Sequence, residues 1–321
     1  MRVLVTGGAG YIGSVATAML IERGFEVTVL DDCSTGHRDA VSSQAKFIEG
    51  SVLSEETIAL ALVDCEAVFH FAAKSLVGES VEKPDLYFDV NVNGTKNLLK
   101  QMNLAKVSKL VFSSTASTYG EPEVIPISEG ARTEPTSPYG VTKLAVDKMI
   151  TEEAKSGLAA ISLRYFNVAG AFNLKGGWLA ERHNPETHLI PNLLRSTVAN
   201  PIKIFGSDWP TQDGTCVRDY IHVVDLINAH ILALEKLSLG EHKIINLGSG
   251  SGYSVAQVIS AATKVLGRAI PTETAARRSG DPAVLVADIS LAEQYLKWAP
   301  KLDIEDMVRD TWESANASAS K

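Results

Sequence analysis

The run Gly7-Gly8-Ala9-Gly10-Tyr11-Ile12-Gly13 constrains this chain more than any other segment, because of what flanks it. Before it, Arg2 to Thr6 is a short apolar run that reads as a strand, and after it Tyr11 to Arg23 has helical periodicity. Glycines between a strand and a helix allow a tight turn and close backbone approach, and the helix N-terminus offers N–H donors to a pyrophosphate. Two spacings fit, G-x-G-x-x-G on Gly8, Gly10 and Gly13, and G-x-x-G-x-x-G on Gly7, Gly10 and Gly13. A second predicted strand, Glu26 to Asp31, ends on a carboxylate where a dinucleotide fold places its ribose acceptor. Asp31 would accept from the adenosine ribose hydroxyls, and Asp32 beside it strengthens the repulsion of a 2′-phosphate. The expected cofactor is therefore NAD rather than NADP.

The same alternation continues. Lys46 to Glu49, Ala67 to Ala72, Lys109 to Ser114 and Ala159 to Phe166 read as strands. Between them Ser54 to Leu62, Pro84 to Met102 and Ser137 to Lys155 read as helices. Short strands separated by helices predict βαβ units, hence an α/β fold with a Rossmann-type doubly wound parallel sheet. After Gly170 the pattern loosens, with a helix expected over Pro185 to Ala199. A nucleotide-binding domain over residues 1–170 and a smaller, mainly substrate-binding region over 171–321 are expected, with segments near 220–250 returning to the main sheet. The small polar tail from Ser314 to Lys321 is expected to fray.

Composition narrows the function. With 45% hydrophobic residues in 321, the chain can bury a large core. Its 30 Lys and Arg against 38 Asp and Glu leave a net charge of −8 with no basic run, which argues against nucleic acid and anionic membranes as partners. Cys33, Cys65 and Cys216 form no CxxC and no metal-ligand spacing, so free thiols, a reducing compartment and no metal are expected. The start leaves no room for a signal peptide, and no stretch approaches the roughly 18 apolar residues of a membrane span. The cytoplasm is the expected location.

Tyr139 and Lys143 lie four apart, on one face of a helix that Ser137-Pro138 opens. An ammonium near a phenol favours the phenolate, and a phenolate can remove a hydroxyl proton as a hydride leaves the same carbon. The preceding strand ends Ser113-Ser114-Thr115, at the edge that should face the cofactor.

These residues, with LRYFNVAG over Leu163 to Gly170, resemble the extended short-chain dehydrogenase/reductase superfamily. More narrowly, HFAAKSLVGES (His70 to Ser80), NVNGT (Asn91 to Thr95), DGTCVRDYIHVVDL (Asp213 to Leu226) and RRSGDPAVLVAD (Arg277 to Asp288) resemble the UDP-glucose 4-epimerase family, over about residues 1 to 316. The resemblance implies a redox-neutral isomerase with tightly held NAD. Tyr139 takes the proton of the sugar 4-hydroxyl while hydride passes from C4, and the 4-keto sugar turns over and receives the hydride on its other face. Lys143 keeps Tyr139 acidic, and Thr115 hydrogen-bonds the 4-oxygen. It implies a cofactor shell of Gly7, Gly10, Tyr11, Ile12, Gly13, Asp31, Asp32, Ser51, Val52, Phe71, Ala72, Ala73, Asn91, Ser113, Tyr139, Lys143, Tyr165 and Phe166. It implies a UDP-sugar shell of Thr115, Asn167, His188, Leu189, Lys203, Phe205, Arg218, Arg278, Asp281 and Leu285, and a homodimer formed through the two long helices. Two arginines and a lysine suit a diphosphate.

Other readings stay open at this stage. Arg218 could pair with Asp219, His188 could be an ordinary helix-face residue, and Leu285 could point into the core. Ser51 stands where many members of the family have Asp, Ser75 where some have Lys (Lys74 is adjacent), and Val15 where His is usual. A nucleotide-sugar 4,6-dehydratase would need Asp-Glu after Thr115, where Ala116-Ser117 stand. A UDP-pentose 4-epimerase uses the same machinery, and an NAD-sensing module without catalysis is a lower-ranked alternative.

Overall fold

The structure is a computed structural model that describes residues 1–278 and 281–319. Seven parallel strands form one sheet in the order 242–247, 159–165, 109–115, 67–70, 2–6, 26–31, 46–49. Sequence order reverses beside the strand Arg2–Thr6, which pairs with Glu26–Asp31 on one side and Ala67–His70 on the other. That reversal opens a crevice at the carboxyl ends of the strands. Helices cover both faces, so the central strands are buried almost throughout rather than alternating. One apolar core packs the helices Tyr11–Glu22 and Val223–Glu235 on the sheet. A second core packs Glu55–Ala61, Gly94–Leu104 and Pro138–Ala154 on the opposite face. Val15, where the resemblance leads one to expect His, is fully buried in the first core.

After Gly170 a third, smaller core gathers residues from the helices Leu189–Arg195, Val255–Leu266 and Ile304–Ala319. The chain re-enters the main body more than once. His242–Leu247 is the seventh sheet strand, and Leu296 and Trp298 join the first core. The stretch 220–235 returns as a helix on the sheet preceded by a three-residue strand, Tyr220–His222, that pairs with Asn167–Ala169.

Several expected elements change. The helix expected over Pro84 to Met102 starts as Pro84–Tyr87, widens to a π turn over Phe88–Asn93 and continues as Gly94–Leu104. The widened turn carries Asn91, whose side chain leaves the helix to bond the backbone of Lys74. The helix expected over Pro185 to Ala199 shrinks to Leu189–Arg195. Glu186 accepts from the backbone N–H of His188 and holds it extended, and Ser196 is extended at the other end. The tail does not fray at Ser314: the last helix runs to Ala319, and Ser314 is buried, donating to the carbonyl of Thr311. Ser320 and Lys321 lie outside the described residues.

Candidate active site

A single cleft of about 1610 Å³ runs over the carboxyl ends of the strands and on against the smaller core. Every residue expected at the site lines it except Asn91. Asn91 is buried behind the wall, where it accepts from the Lys74 N–H at 2.8 Å and donates to the Lys74 carbonyl and to Thr142 Oγ1. It therefore fixes the loop 72–76 against the helix Pro138–Ala154 from behind the cleft wall.

At one end lies the glycine loop, and the structure chooses between the two spacings. Gly7 has φ +72°, and a Cβ there would lie 2.6 Å from the Ala72 nitrogen; a Cβ on Gly13 would overlap the Gly7 carbonyl. Gly10 has only ordinary contact behind it, so its missing side chain leaves room on the cleft side. Gly8 packs against Val29 instead. Gly7, Gly10 and Gly13 line the cleft and Gly8 does not. Asp31 ends its strand with one carboxylate oxygen accepting from the Ala9 N–H at 2.9 Å and the other from the Cys33 N–H at 2.8 Å. Burial pushes its pKa above the usual carboxylate value, against those two bonds. Ser51 and Val52 line the same end. Lys74 reaches Ser34 Oγ at 3.2 Å and lies near Asp31 and Asp32, so it faces the adenosine end and does not fill the nicotinamide-side position of the family lysine.

Mid-cleft stand Thr115, Tyr139 and Lys143. Thr115 ends the fifth strand, and Tyr139 sits in the first turn of a helix that Ser137 caps by accepting from the Gly140 N–H. One turn on, Lys143 is 3% exposed and donates to the Ser113 carbonyl at 2.8 Å, with its ammonium 4.8 Å over the Phe112 ring. Burial pulls the Lys143 pKa down to about 8, with nearby Asp147 opposing. Burial pushes Tyr139 up to about 12, and the hydrogen bond with Thr115 pulls the other way. The expected acidifying partner, Lys143, is anchored on Ser113; without a ligand it is Thr115 that favours the phenolate. Asp147 accepts from Ser114 and from two nitrogens of Arg164, a buried group of charges beneath Lys143 that sequence reasoning missed. Tyr165 hydrogen-bonds Ser113, while Phe71 and Tyr165 pack around His230.

The other end belongs to the smaller core. Arg218 spans to Asp281 at 3.6 Å and donates to its neighbour's carbonyl; it does not pair with Asp219. Arg278 stacks 3.9 Å over Phe205. Lys203 faces Glu273 at 3.6 Å and is 60% exposed, so the cation expected for a diphosphate already has a carboxylate partner. Leu285 pairs in register with Arg218, is half-buried and lines the cleft. His188 and Leu189 open the helix Leu189–Arg195, with His188 held by Glu186. Asn167 donates to the Asp219 carbonyl.

Asp219 is the larger omission. It is fully buried and accepts from the N–H groups of Ser249, Gly250 and Ala287 and from the Ser249 hydroxyl. Its only sequence signal was its place beside Arg218.

A family model described as the NAD dependent epimerase/dehydratase family matches residues 3–248. The chain belongs to that family. Over nearly its whole length it is similar to a UDP-glucose 4-epimerase of Corynebacterium glutamicum, 52% identical over 99% of this chain and 96% of that one. Among solved structures it resembles the UDP-glucose 4-epimerase of Brucella ovis in complex with NAD, at 40% identity and TM-score 0.92 over 97% of each chain. It also resembles the Bifidobacterium longum enzyme in complex with NAD+ and UDP, at 35% identity and TM-score 0.90 over 98% of each chain. The contacts that forbid side chains at Gly7 and Gly13, and a strand-end carboxylate at Asp31, suit a dinucleotide.

Proposed function

We propose that this chain is an NAD-dependent UDP-glucose 4-epimerase, an isomerase that interconverts UDP-glucose and UDP-galactose. The observation that carries the reading is that one cleft joins the glycine loop and Asp31, the Thr115–Tyr139–Lys143 group, and the arginines Arg218 and Arg278. NAD, when bound, supplies a hydride acceptor and donor. Gly7, Gly10 and Gly13 leave space for its pyrophosphate, and Asp31 accepts from its ribose. Tyr139 takes the proton of the sugar 4-hydroxyl and later returns it, while Thr115 holds the 4-oxygen in line. Lys143, fixed on Ser113, keeps a positive charge beside them. Arg218 and Arg278 grip the diphosphate, for which their charge-assisted bonds are suited.

Nucleotide binding is assigned to residues 1–170 with the returning segments near 220–250, and sugar-nucleotide binding mainly to 171–321. The exposed Val81, Phe88 and Val141, on neighbouring helices, support a homodimer through that face, and the cytoplasm is the proposed location. No helix among the described residues is long and apolar enough to cross a membrane.

Purified protein incubated with UDP-galactose is expected to form UDP-glucose, and its denatured supernatant to contain NAD. Unchanged UDP-galactose sinks the reading; turnover confined to UDP-pentoses moves it to the pentose epimerases; recovered NADP overturns the role of Asp31.

Leu285 gives a finer expectation. It offers no hydrogen bond to an acetamido group, and its bulk is expected to select UDP-glucose and UDP-galactose over their N-acetyl forms. One added group in an apolar pocket is worth about 1–3 kcal/mol. Leu285→Ser is then expected to raise turnover of UDP-N-acetylglucosamine roughly 10-fold or more, with UDP-galactose turnover little changed. A fall in both activities makes Leu285 a packing residue.

A further inference from the structure

Glu181, His183 and His188 form a cluster on the cleft wall, of which the epimerase reading uses only His188, as an expected UDP-sugar contact. They come from one short segment with the spacing E-x-H-x-x-x-x-H. One potential ligand atom from each lies within 4.8 Å of the others. Their side chains are 11%, 25% and 42% exposed, so the cluster is sheltered but open on its cleft side. The two imidazole rings are 5.8 Å apart.

The group behind them is the second observation. The Glu186 side chain is 2% exposed. Its Oε1 pairs with His188 Nδ1 at 2.7 Å and accepts from the His188 backbone N–H, while its Oε2 is buried with no hydrogen-bond partner. A carboxylate on one ring nitrogen fixes the tautomer and leaves Nε2 as a lone-pair donor, the arrangement that supports a metal-bound histidine from behind. Glu181 Oε1 likewise pairs with His183 Nδ1 and accepts from the His183 backbone N–H, so each imidazole has a carboxylate against it. Arg182, which lies between them in sequence, turns away to pair with Asp39. At the start of the glycine-loop helix the Tyr11 phenolate is disfavoured first by burial and then by Glu181, Asp310 and Glu186.

We propose that Glu181, His183 and His188 bind a divalent transition-metal ion, with Glu186 as the positioning residue behind His188. Two imidazoles and one carboxylate are a donor set that suits zinc and leaves a fourth position free. Imidazole donors select against magnesium and calcium, which prefer oxygen throughout. Because all three ligands line the cleft, the free position faces it, where water or a phosphate oxygen completes the coordination.

The test uses the full chain, treated with chelator and dialysed, then titrated with zinc chloride by calorimetry and with cobalt chloride by visible absorption. One ion per chain is expected, with cobalt bands of nitrogen and oxygen ligation. Glu181→Gln and His183→Ala are each expected to abolish saturable binding. Glu186→Gln, which keeps the shape but weakens the support of His188, is expected to lower zinc affinity about 10–100-fold. Circular dichroism of the metal-free variants checks their folding, and the near-isosteric Glu181→Gln and Glu186→Gln carry the test if His183→Ala does not fold. No saturable binding overturns the proposal, as does affinity unchanged by Glu181→Gln. Thiolate charge-transfer absorption in the cobalt complex also overturns it, since the ion then sits on the free cysteines.

Discussion

Tyr139→Phe is expected to lower kcat by about 10²–10⁴-fold while UDP-sugar and NAD remain bound, because it removes only the oxygen that carries the proton. The ring stays wedged edge-on against Tyr87, with centroids 6.5 Å apart, so the helix around it has no reason to move. The chemistry needs a phenol that gives up its proton, yet burial, even against the Thr115 hydrogen bond, holds Tyr139 at about 12. In the proposed mechanism the positive charge of Lys143, one helical turn on, opposes that burial further. Lys143 keeps its proton below about pH 8, having been lowered from 10.5 by burial. The sign follows directly: the ammonium is present below that pH and lost above it, so kcat/KM is expected to decline as pH rises past about 8. Steady-state kinetics of the wild type and Tyr139→Phe over pH 6 to 10 check both statements. Turnover in Tyr139→Phe close to the wild type would remove Tyr139 from the mechanism, and a flat profile across pH 8 would remove the Lys143 charge.

The cofactor half of the site was legible because its determinants are local. Strand, glycine loop, helix and acid follow one another within residues 2–31, and the periodicity of each element is set by burial against one sheet. The Tyr139–Lys143 pair was legible for the same reason, as one turn of one helix. What surrounds the pair was not. Asp147 and Arg164 meet from a helix and a strand, and the Ser113 carbonyl that anchors Lys143 comes from another strand, so only the folded sheet joins them. Asn91 was expected at the cofactor because its motif is local, but its side chain is used up on Lys74 and Thr142 after the helix widens. The substrate half suffered most from this. Lys203 looked like a free cation until a strand 70 residues further along the chain placed Glu273 directly opposite it. Periodicity also overran the helix at 185–199, because a single carboxylate, Glu186, competes there for the backbone N–H.

Asp219→Ala is expected to abolish UDP-sugar binding and lower the stability of the chain while the nucleotide end survives. The carboxylate gathers Ser249 at 2.5 and 2.6 Å, Gly250 at 3.2 Å and Ala287 at 3.0 Å, and so ties two separate stretches of chain to its own. A Cβ on Gly248 would overlap the carboxylate, so the loop is shaped to it. Its neighbour Arg218 and Leu285, two residues before Ala287, both line the cleft. Truncation leaves several buried N–H donors unpaired at once, each costing about 1–3 kcal/mol, so a total loss of roughly 3–5 kcal/mol is expected after partial rehydration. For a chain of this size that corresponds to a melting point lower by about 5–8 °C. Asp219→Asn keeps acceptor and shape at one oxygen only, and is expected to fall between. The decisive readout is the split between ligands. NAD recovered from the folded Asp219→Ala protein, with UDP-glucose affinity gone, locates the damage in the sugar-nucleotide end. If both ligands are kept and the melting point is unchanged, Asp219 is not the hub that holds Arg218 and Leu285 in place.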